Sequence, residues 1–344
     1  MRMRPTGRPP DWRDRAAASL LLRHVEFATP PKPMLIMGDP RPDVETSLDG
    51  KGIAVAVWNR RAFGNRRATS WPPEGPFGSV ALRLPRAKEE LDMMLHGAAG
   101  SLAPGGVVLV YGAKDEGIGS VPRRLEPLFQ EVETVEVGGH CRIIRGRLRQ
   151  GPTTGQSGLH EWRQVIKLEH GPLGRDWISY PGVFAHGRLD AGTRLLLDSV
   201  PDLPQEARVL DYGCGSGVVA AMVRILYPQV RLELLDVDAV SLVAARENVP
   251  DARVLLRDGL PVPDEEGFHA ILSNPPFHRG KTEEPEMVLE LIRGAPAVLQ
   301  PQGGLVLVAQ RRLPLEGAFQ GAFRKSSVRM EDGAFKVWEG WFPR

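Results

Sequence analysis

The strongest constraint on the fold is a strand, turn and helix over residues 208–226. A largely apolar strand at 208–212 runs into the turn Gly213-Cys-Gly215-Ser-Gly217, and an apolar helix is predicted over 218–226. Glycine adopts backbone angles that other residues avoid, and it lets a ligand approach the main chain closely. The pattern therefore predicts a ligand-binding loop in an α/β sheet. Taken alone, it fits a dinucleotide-binding loop equally well.

Acidic residues at the ends of the next two strands narrow this interpretation. A predicted strand at 232–236 ends in Asp236, and a third apolar strand at 253–256 is followed by Asp258. The carboxyl ends of strands in an open α/β sheet form its ligand-binding edge. The carboxylate of Asp236 suits a ribose diol, and that of Asp258 can accept a hydrogen bond from an adenine amino group. Taken singly, each acid is also compatible with a solvated turn.

A fourth strand, at 270–273, ends in Asn274-Pro275-Pro276-Phe277. Two consecutive prolines fix the backbone and hold the flanking side chains at the strand end. The Asn274 side chain and the Pro275 carbonyl can accept both hydrogens of an exocyclic amine, and Phe277 can stack on the ring that carries it. Pro276 is counted with the residues that contact the base. An ordinary turn with a core phenylalanine is disfavoured by the glycine turn upstream, and the motifs together resemble S-adenosylmethionine-dependent amino-methyltransferases.

Composition limits the class of protein. The 344 residues are 42% hydrophobic, which fits two domains that each bury a core. The net charge of +2 does not indicate a nucleic-acid partner. Cys141 and Cys214 lie far apart, and no histidine shows metal-ligand spacing, so we expect a reducing cytoplasmic compartment and no metal. The absence of a long apolar run predicts no membrane span.

The chain divides at changes of composition. We predict a basic arm with a short helix at 1–34, an α/β sheet domain at 35–149, a linker at 150–158 and a second α/β domain at 159–344. The arm carries seven basic and three acidic residues, a net charge of +4. Arg145, Arg147 and Arg149 alternate along a predicted strand, which puts them on one face. They are candidates for contact with RNA phosphates, although a solvated strand face is nearly as good an interpretation.

The two halves resemble each other, which predicts a duplication. The first half lacks the binding groups of the second. It has no glycine turn, and the alignment sets Leu84 opposite Asn274. We therefore predict a first domain that has lost cofactor binding and serves as scaffold and RNA-docking domain. The matching segments are 80–86 with 270–276, 102–110 with 299–308, and 139–148 with 333–342.

Two tandem halves, of which only the second carries the glycine turn and the Asn-Pro-Pro-Phe motif, resemble the bacterial ribosomal RNA guanine-N2 methyltransferases of the RsmC type. The most specific matching pieces are Tyr180-Pro-Gly-Val-Phe184, Leu189-Asp-Ala-Gly192, the glycine turn and Ser273-Asn-Pro-Pro-Phe-His278. The resemblance implies two Rossmann-like class I methyltransferase domains, the N-terminal one degenerate. It implies methyl transfer from S-adenosylmethionine to the exocyclic N2 of one guanine in small-subunit ribosomal RNA.

The resemblance also implies roles for the site residues. Asp211 is expected near the methionine amino group, with Asp236 at the ribose, Asp258 at the adenine and Asn274 at the target amine. Phe184 is expected in the pocket between the two ligands, although a core role fits it equally well. We expect a monomer that acts on ribosomal RNA. The alternatives are a 23S rRNA guanine, protein glutamine or adenine as the target, or a non-catalytic RNA-binding assembly factor.

Overall fold

The computed structural model of the chain describes residues 12–62, 64, 66–150, 158–185, 188–275 and 284–343. Contacts between residues divide the chain into two compact units. The first comprises residues up to 61 and 66–162, and the second comprises 62–65 and 163–344. The predicted basic arm up to residue 11 and most of the predicted linker lie outside the described residues.

The first unit is a six-stranded sheet with helices on both faces. Its strand order is β2-β1-β3-β4-β6-β5, and β6 runs antiparallel to both of its neighbours. In chain order the elements are α1 (Trp12–Ala28), β1 (Met34–Met37), α2 (Pro42–Asp49), β2 (Val55–Trp58), β3 (Phe77–Arg83), α3 (Lys88–Ser101), β4 (Leu102–Ala113), α4 (Val121–Leu125), β5 (Phe129–Gly138) and β6 (Cys141–Leu148).

The second unit is a seven-stranded sheet preceded by a separate two-stranded hairpin. The sheet order is β11-β10-β9-β12-β13-β15-β14, and the hairpin pairs β7 with β8. The elements are β7 (Gln164–His170), β8 (Leu173–Ser179), α5 (Ala191–Leu197), β9 (Arg208–Tyr212), α6 (Val218–Leu226), β10 (Arg231–Asp236), α7 (Ala239–Asn248), β11 (Arg253–Leu256), β12 (Phe268–Ser273), α8 (Glu284–Gly294), β13 (Leu299–Gln310), α9 (Glu316–Ala322), β14 (Phe323–Glu331) and β15 (Phe335–Pro343).

The two sheets share one topology. Numbered from β9 along the chain, the second sheet has the order 3-2-1-4-5-7-6, and the first sheet has the same order without a third strand. The three segment pairs that match in sequence fall on equivalent strands, namely β3 with β12, β4 with β13, and β6 with β15. The predicted α/β class is thus confirmed. Among the residues that the structure describes, the first sheet has no third strand, so it has no place equivalent to that of Asp258.

The structure shifts one part of the predicted alignment by a residue. Ala81 of β3 and Leu272 of β12 each pair with the penultimate residue of the first strand in their sheet. Each also lies on the face covered by the helix that follows that strand. Two residues further on, Arg83 therefore stands opposite Asn274, and Leu84 does not. A slip of one residue exchanges the faces of a strand, which sequence matching across a gap does not detect.

In the first unit, Arg83 occupies the position that corresponds to Asn274. Its side chain is buried and lies 2.8 Å from Asp14 of α1 and 2.7 Å from Glu116. Ile36 occupies the position that Asp211 has in the second unit, since each is the penultimate residue of its strand. Internal side chains thus occupy the space that the equivalent part of the second unit leaves to a cavity. This supports the prediction that the first domain has no cofactor chemistry.

Several predicted elements differ in length from those observed. The first helix is predicted over 16–22 but extends over Trp12–Ala28, because residues at helical spacing such as Leu21 and Val25 are buried against the sheet. The sequence also predicts a helix over 194–200, with Asp190 or Thr193 as its cap, and the structure begins this helix earlier, at Ala191, where Asp190 caps it. None of the described helices is long and apolar enough to cross a bilayer.

Two arginines of β6, Arg145 and Arg147, form ion pairs with the neighbouring strand. Arg145 forms an ion pair with Glu133, and Arg147 lies 2.9 Å from Glu131, both on the neighbouring β5. Arg149 donates to the carbonyl of Glu126 at 3.1 Å. The acidic residues of β5 cancel much of the positive charge of this face. The predicted contact of these arginines with RNA phosphates stays a prediction, and it would require breaking two existing ion pairs.

Replacing Arg83 with leucine should lower the free energy of unfolding by about 3 kcal/mol or more, because two shielded carboxylates lose their cation. The measurement is chemical denaturation followed by circular dichroism. Arg147→Leu is the matched control, because it breaks an exposed pair in the same sheet and should cost within about 1 kcal/mol. Equal losses in the two variants would contradict the place assigned to Arg83.

Candidate functional site

The site lies where β9 and β12 end side by side. The two strands are parallel and in register, with Asp211 beside Leu272 and Tyr212 beside Ser273. The Ser273 hydroxyl donates to the Tyr212 carbonyl at 2.8 Å, which fastens the two strand ends together. The glycine turn and Asn274 therefore leave the sheet at the same edge, as the two sequence motifs predict for an α/β sheet.

The three glycines of the turn have different functions. All three have positive φ angles, of 72° at Gly213, 54° at Gly215 and 88° at Gly217, which a side chain would strain. A Cβ on Gly215 would meet nothing within 4 Å, so this glycine leaves open space beside the cavity. A Cβ on Gly217 would lie 3.2 Å from Leu234, so Gly217 permits close packing of α6 on the sheet. Gly217 is thus predicted as a cofactor contact but does not line the cavity.

Asp236 holds the glycine turn from the neighbouring strand. Its Oδ2 accepts from the Gly215 N–H at 2.8 Å, and its Oδ1 accepts from the Asp238 N–H at 2.8 Å. Asp238 in turn caps α7. The carboxylate therefore fixes the conformation of the turn. Asp236 is partly exposed at the end of β10, the location at which the sequence predicts a ribose contact.

Asp211 is a buried carboxyl group in the wall of the cavity. Its Oδ2 accepts from the Ala220 N–H at 3.0 Å, and the described residues offer it no ion pair. Burial raises the pKa of Asp211 to about 7, the Ala220 hydrogen bond opposes this rise, and the negative charge of Asp236 adds to it. A buried acid without a cation is a suitable partner for a cationic ligand group.

Asp258 lies apart from this cavity. It is exposed, and its side chain accepts from the N–H of Gly64 at 3.2 Å, in the short segment 62–65 that belongs to the second unit. Ala62 in the same segment donates to the Val237 carbonyl at 2.7 Å. The predicted adenine contact of Asp258 stays a prediction.

Asn274 presents a free acceptor inside the site. The residue is 9% exposed, and its Nδ2 donates to Asp190 Oδ2 at 3.1 Å and to Thr193 Oγ1 at 2.8 Å. Its Oδ1 is buried without a donor among the described residues. Buried polar atoms in native proteins are nearly always paired, so an exception indicates a place for a ligand. Pro275 is buried beside it, whereas Pro276 and Phe277 lie outside the described residues.

One cavity brings Asp211, the glycine turn and Asn274 together, whereas Asp236 and Asp258 are not among its lining residues. The hairpin β7–β8 contributes apolar walls, and the glycine turn and the strand ends contribute polar ones. Phe184 lines the cavity and is 45% exposed, as expected for a residue at a ligand pocket and unlike a core phenylalanine. The lining includes Ile166, Trp177, Phe184, Asp190, Thr193, Asp211, Gly213, Gly215 and Asn274.

Sequence reasoning missed two parts of the site. Asp190 stands in the Leu189-Asp-Ala-Gly192 piece of the family resemblance, but the only role expected for it or for Thr193 was to cap α5. Their contacts with Asn274 join residues far apart in the chain. The second part is a hydrogen-bond network that holds the hairpin β7–β8. Trp177 Nε1 donates to Ser216 Oγ at 2.9 Å, and Asn248 Nδ2 donates to the Ser216 carbonyl at 3.0 Å. No sequence pattern pointed to this network. Across the described ranges, no group of three or more potential metal ligands occurs.

Comparison with known proteins gives matches over both halves of the chain. The family model described as "Methyltransferase small domain" matches residues 175–339, and "Methyltransferase small domain N-terminal" matches residues 18–164. The ribosomal RNA small subunit methyltransferase C of Pseudomonas putida (strain GB-1) is 32% identical over 332 residues, covering 94% of this chain and 98% of that protein. The protein of the same name from Pseudomonas aeruginosa (strain LESB58) is 34% identical over 334 residues, with the same coverages of 94% and 98%.

A solved structure has the same two-unit fold. The T. thermophilus 16S rRNA N2 methyltransferase (RsmC), in complex with AdoMet and guanosine, superimposes with a TM-score of 0.80 at 21% identity, over 94% of this chain and 91% of that one. The family resemblance seen in the motifs is confirmed by the relatives above 30% identity. The chain belongs to the ribosomal RNA small subunit methyltransferase C family.

Proposed function

We propose that the protein transfers a methyl group from S-adenosylmethionine to the exocyclic N2 of a guanine in 16S ribosomal RNA. The relatives named above are small-subunit ribosomal RNA methyltransferases, and the T. thermophilus structure contains AdoMet and guanosine. The observation that carries the proposal is the buried Oδ1 of Asn274, which has no donor in the part of the chain that the structure describes and belongs to a residue that lines one cavity with the glycine turn. An exocyclic amine is the donor that this oxygen lacks.

The residues present fit S-adenosylmethionine. Asp211 offers a buried carboxyl group for the cationic methionine end, and Gly215 leaves the backbone open to a ligand. Asp236, at the end of β10, would receive the ribose hydroxyls, and Asp258 the adenine. When bound, the cofactor supplies a methyl group that is already activated, so the amine needs no strong base to attack it.

The contribution of the protein to catalysis is then mainly positioning. Asn274 Oδ1 accepts one hydrogen of the target amine, and we assign the second hydrogen to the Pro275 carbonyl. Two acceptors in fixed places orient the nitrogen lone pair away from the ring system and towards the methyl group. The guanine must leave its stack to enter the cavity, and we assign Phe277 and Pro276 to contact with the flipped ring.

The roles of the two domains are part of the proposal. The second unit carries the chemistry, and the first acts as scaffold and docks RNA, with Arg145, Arg147 and Arg149 as candidate contacts. The protein is proposed to work in the cytoplasm as a monomer. The filled site of the first unit supports the absence of a second reaction centre there, because Arg83 and its carboxylates occupy the relevant place.

A labelled transfer assay tests the proposal. The purified protein is incubated with methyl-labelled S-adenosylmethionine and with 30S subunits or 16S RNA that lack the modification, and nucleosides are then identified by mass spectrometry. The proposal expects N2-methylguanosine in 16S RNA. Label in 23S RNA, in adenine or in protein glutamine would support one of the alternative targets. No transfer to any substrate, despite cofactor binding, would support a non-catalytic assembly factor.

Asn274→Ala should reduce turnover by a factor of roughly 100 or more and leave cofactor affinity nearly unchanged, because a positioned acceptor at the reacting centre is lost. Single-turnover assays measure the first quantity and calorimetry the second. The matched control is Asn59→Ala, which also removes a buried asparagine but one that does not line the cavity, and it should turn over like the wild type. Wild-type turnover in Asn274→Ala would refute the catalytic role.

Asp236→Ala should weaken S-adenosylmethionine binding by roughly 10- to 100-fold, because losing charge-assisted hydrogen bonds costs about 1.5–3 kcal/mol. Turnover should recover at high cofactor concentration. Asp251→Ala removes an acid at the opposite edge of the sheet, where it pairs with Arg224. This control should bind like the wild type. An unchanged dissociation constant for Asp236→Ala would show that the ribose assignment is wrong.

Cofactor affinity should depend on pH through Asp211. A cationic ligand needs the carboxylate, so the dissociation constant should rise as the pH falls below about 7, by up to about tenfold per unit. The free energy of unfolding of the cofactor-free protein should change in the opposite direction and fall as the pH rises. Because burial raises the pKa of Asp211 above its unfolded value, this stability is present at low pH and is lost as the pH rises through about 7.

Calorimetry between pH 5 and 7.5 and thermal unfolding without cofactor measure the two trends. The Asp211→Asn variant has no titrating group there, and its amide oxygen can still accept from Ala220. Both trends should be weaker in this variant than in the wild type. Identical pH profiles in the two proteins would rule out Asp211 as the group responsible.

A further inference from the structure

We infer that Asp190 and Thr193 are positioning residues that fix the orientation of the Asn274 amide, so that the site accepts a hydrogen-bond donor and rejects an acceptor. This inference deepens the proposed function and rests on the role assigned there to Asn274. It concerns residues that no motif marked as part of the chemistry.

The contacts on Asn274 are unequal at its two ends. Both hydrogens of its Nδ2 meet acceptors, at 3.1 Å to Asp190 Oδ2 and 2.8 Å to Thr193 Oγ1. The Oδ1 at the other end has no donor among the described residues. All three residues line the same cavity. The protein thus satisfies the amide nitrogen completely and leaves the oxygen to a ligand.

A carboxylate can hold an amide in only one of its two orientations. An asparagine side chain rotated by 180° about its terminal bond has nearly the same shape, with oxygen and nitrogen exchanged. In that orientation Asn274 would turn its oxygen towards Asp190, and two acceptors would face each other in a buried place. Its NH2 group would then face the cavity and repel an incoming amine. Asp190 therefore excludes the unproductive orientation.

The same carboxylate strengthens the acceptor that it orients. Hydrogen bonds in a chain polarise one another, and an amide that donates to an anion carries more negative charge on its oxygen. Asp190 is itself held in place, because it caps α5 and its Oδ2 also accepts from the Thr193 N–H at 3.1 Å. The start of α5 thus supports the reaction centre through one oxygen atom.

The geometry suggests variants that separate positioning from capping. Serine also caps helices but is too short to reach Asn274, so Asp190→Ser should keep α5 and release the amide. Asparagine has the length of aspartate, and a single oxygen accepts both hydrogen bonds in the native site. Asp190→Asn should therefore recover most of the turnover that Asp190→Ser loses. Asp198→Ser is the control, since Asp198 ends the same helix and pairs with His170.

The first readout is turnover in a double-mutant cycle. Asp190→Ser should lower single-turnover rates by about tenfold or more while cofactor affinity stays the same, because a small misplacement of a reacting group is costly. In an Asn274→Ala background, the same substitution should cost little, since its partner is already gone. An undiminished effect of Asp190→Ser without Asn274 would overturn the inference, because Asp190 would then act in another way.

The second readout does not depend on activity. Both side-chain amide hydrogens of Asn274, itself a buried residue, are held by acceptors, so they should exchange slowly with solvent in nitrogen-15 NMR spectra of the whole protein. Asn274→Ala identifies their signals. Asp190→Ser should speed this exchange by tenfold or more, and Asp198→Ser should not. Unchanged exchange in Asp190→Ser would refute the inference, whereas absence of RNA methylation by the wild type would refute the proposed function and leave this test intact.

Discussion

The site depends on one parallel strand pair, β9 with β12. The two strands come from separate parts of the chain, and each carries one half of the proposed chemistry. Their register sets Asp211 beside Leu272, two residues before Asn274, and the hydroxyl of Ser273 joins the strand ends. A shift of one residue in this pairing would turn one of the two side chains to the other face of the sheet. The backbone ladder therefore determines that the two groups share a cavity.

Two buried polar groups in this cavity are incompletely paired. Among the described residues, Asp211 accepts a hydrogen bond from the Ala220 N–H but has no cation, and the oxygen of Asn274 has no donor. Each is costly in the free protein, and the first cost is visible in the raised pKa of Asp211. Natural sequences tolerate such costs mainly at functional sites. The first group requires a cation and the second a hydrogen-bond donor, and the two proposed ligands would supply them.

The fold and the reactive ends of the strands could be predicted from the sequence because they are local. The glycine turn, the acid after β10 and the asparagine after β12 each follow from a strand and the few residues behind it. The contact between Asp190 and Asn274 could not be predicted, because it depends on the path of the chain between α5 and β12. The exchange of Leu84 for Arg83 shows a similar limit, since alternation along a strand gives no absolute register. The function of Gly217 likewise depended on Leu234, which belongs to another strand.

The ion pairs of Arg83 have a consequence for the history of the duplicated halves. A return of the first unit to a working centre would need an amide at Arg83 and a carboxyl at Ile36, together with a third strand that its sheet lacks. Replacing Arg83 alone leaves Asp14 and Glu116 without their cation, and an acid alone at Ile36 is buried among apolar side chains. Each of these two substitutions therefore lowers stability when it is made alone. Under the predicted duplication, a centre once lost from the first half is not easily regained, and the first half can specialise without competing for the cofactor.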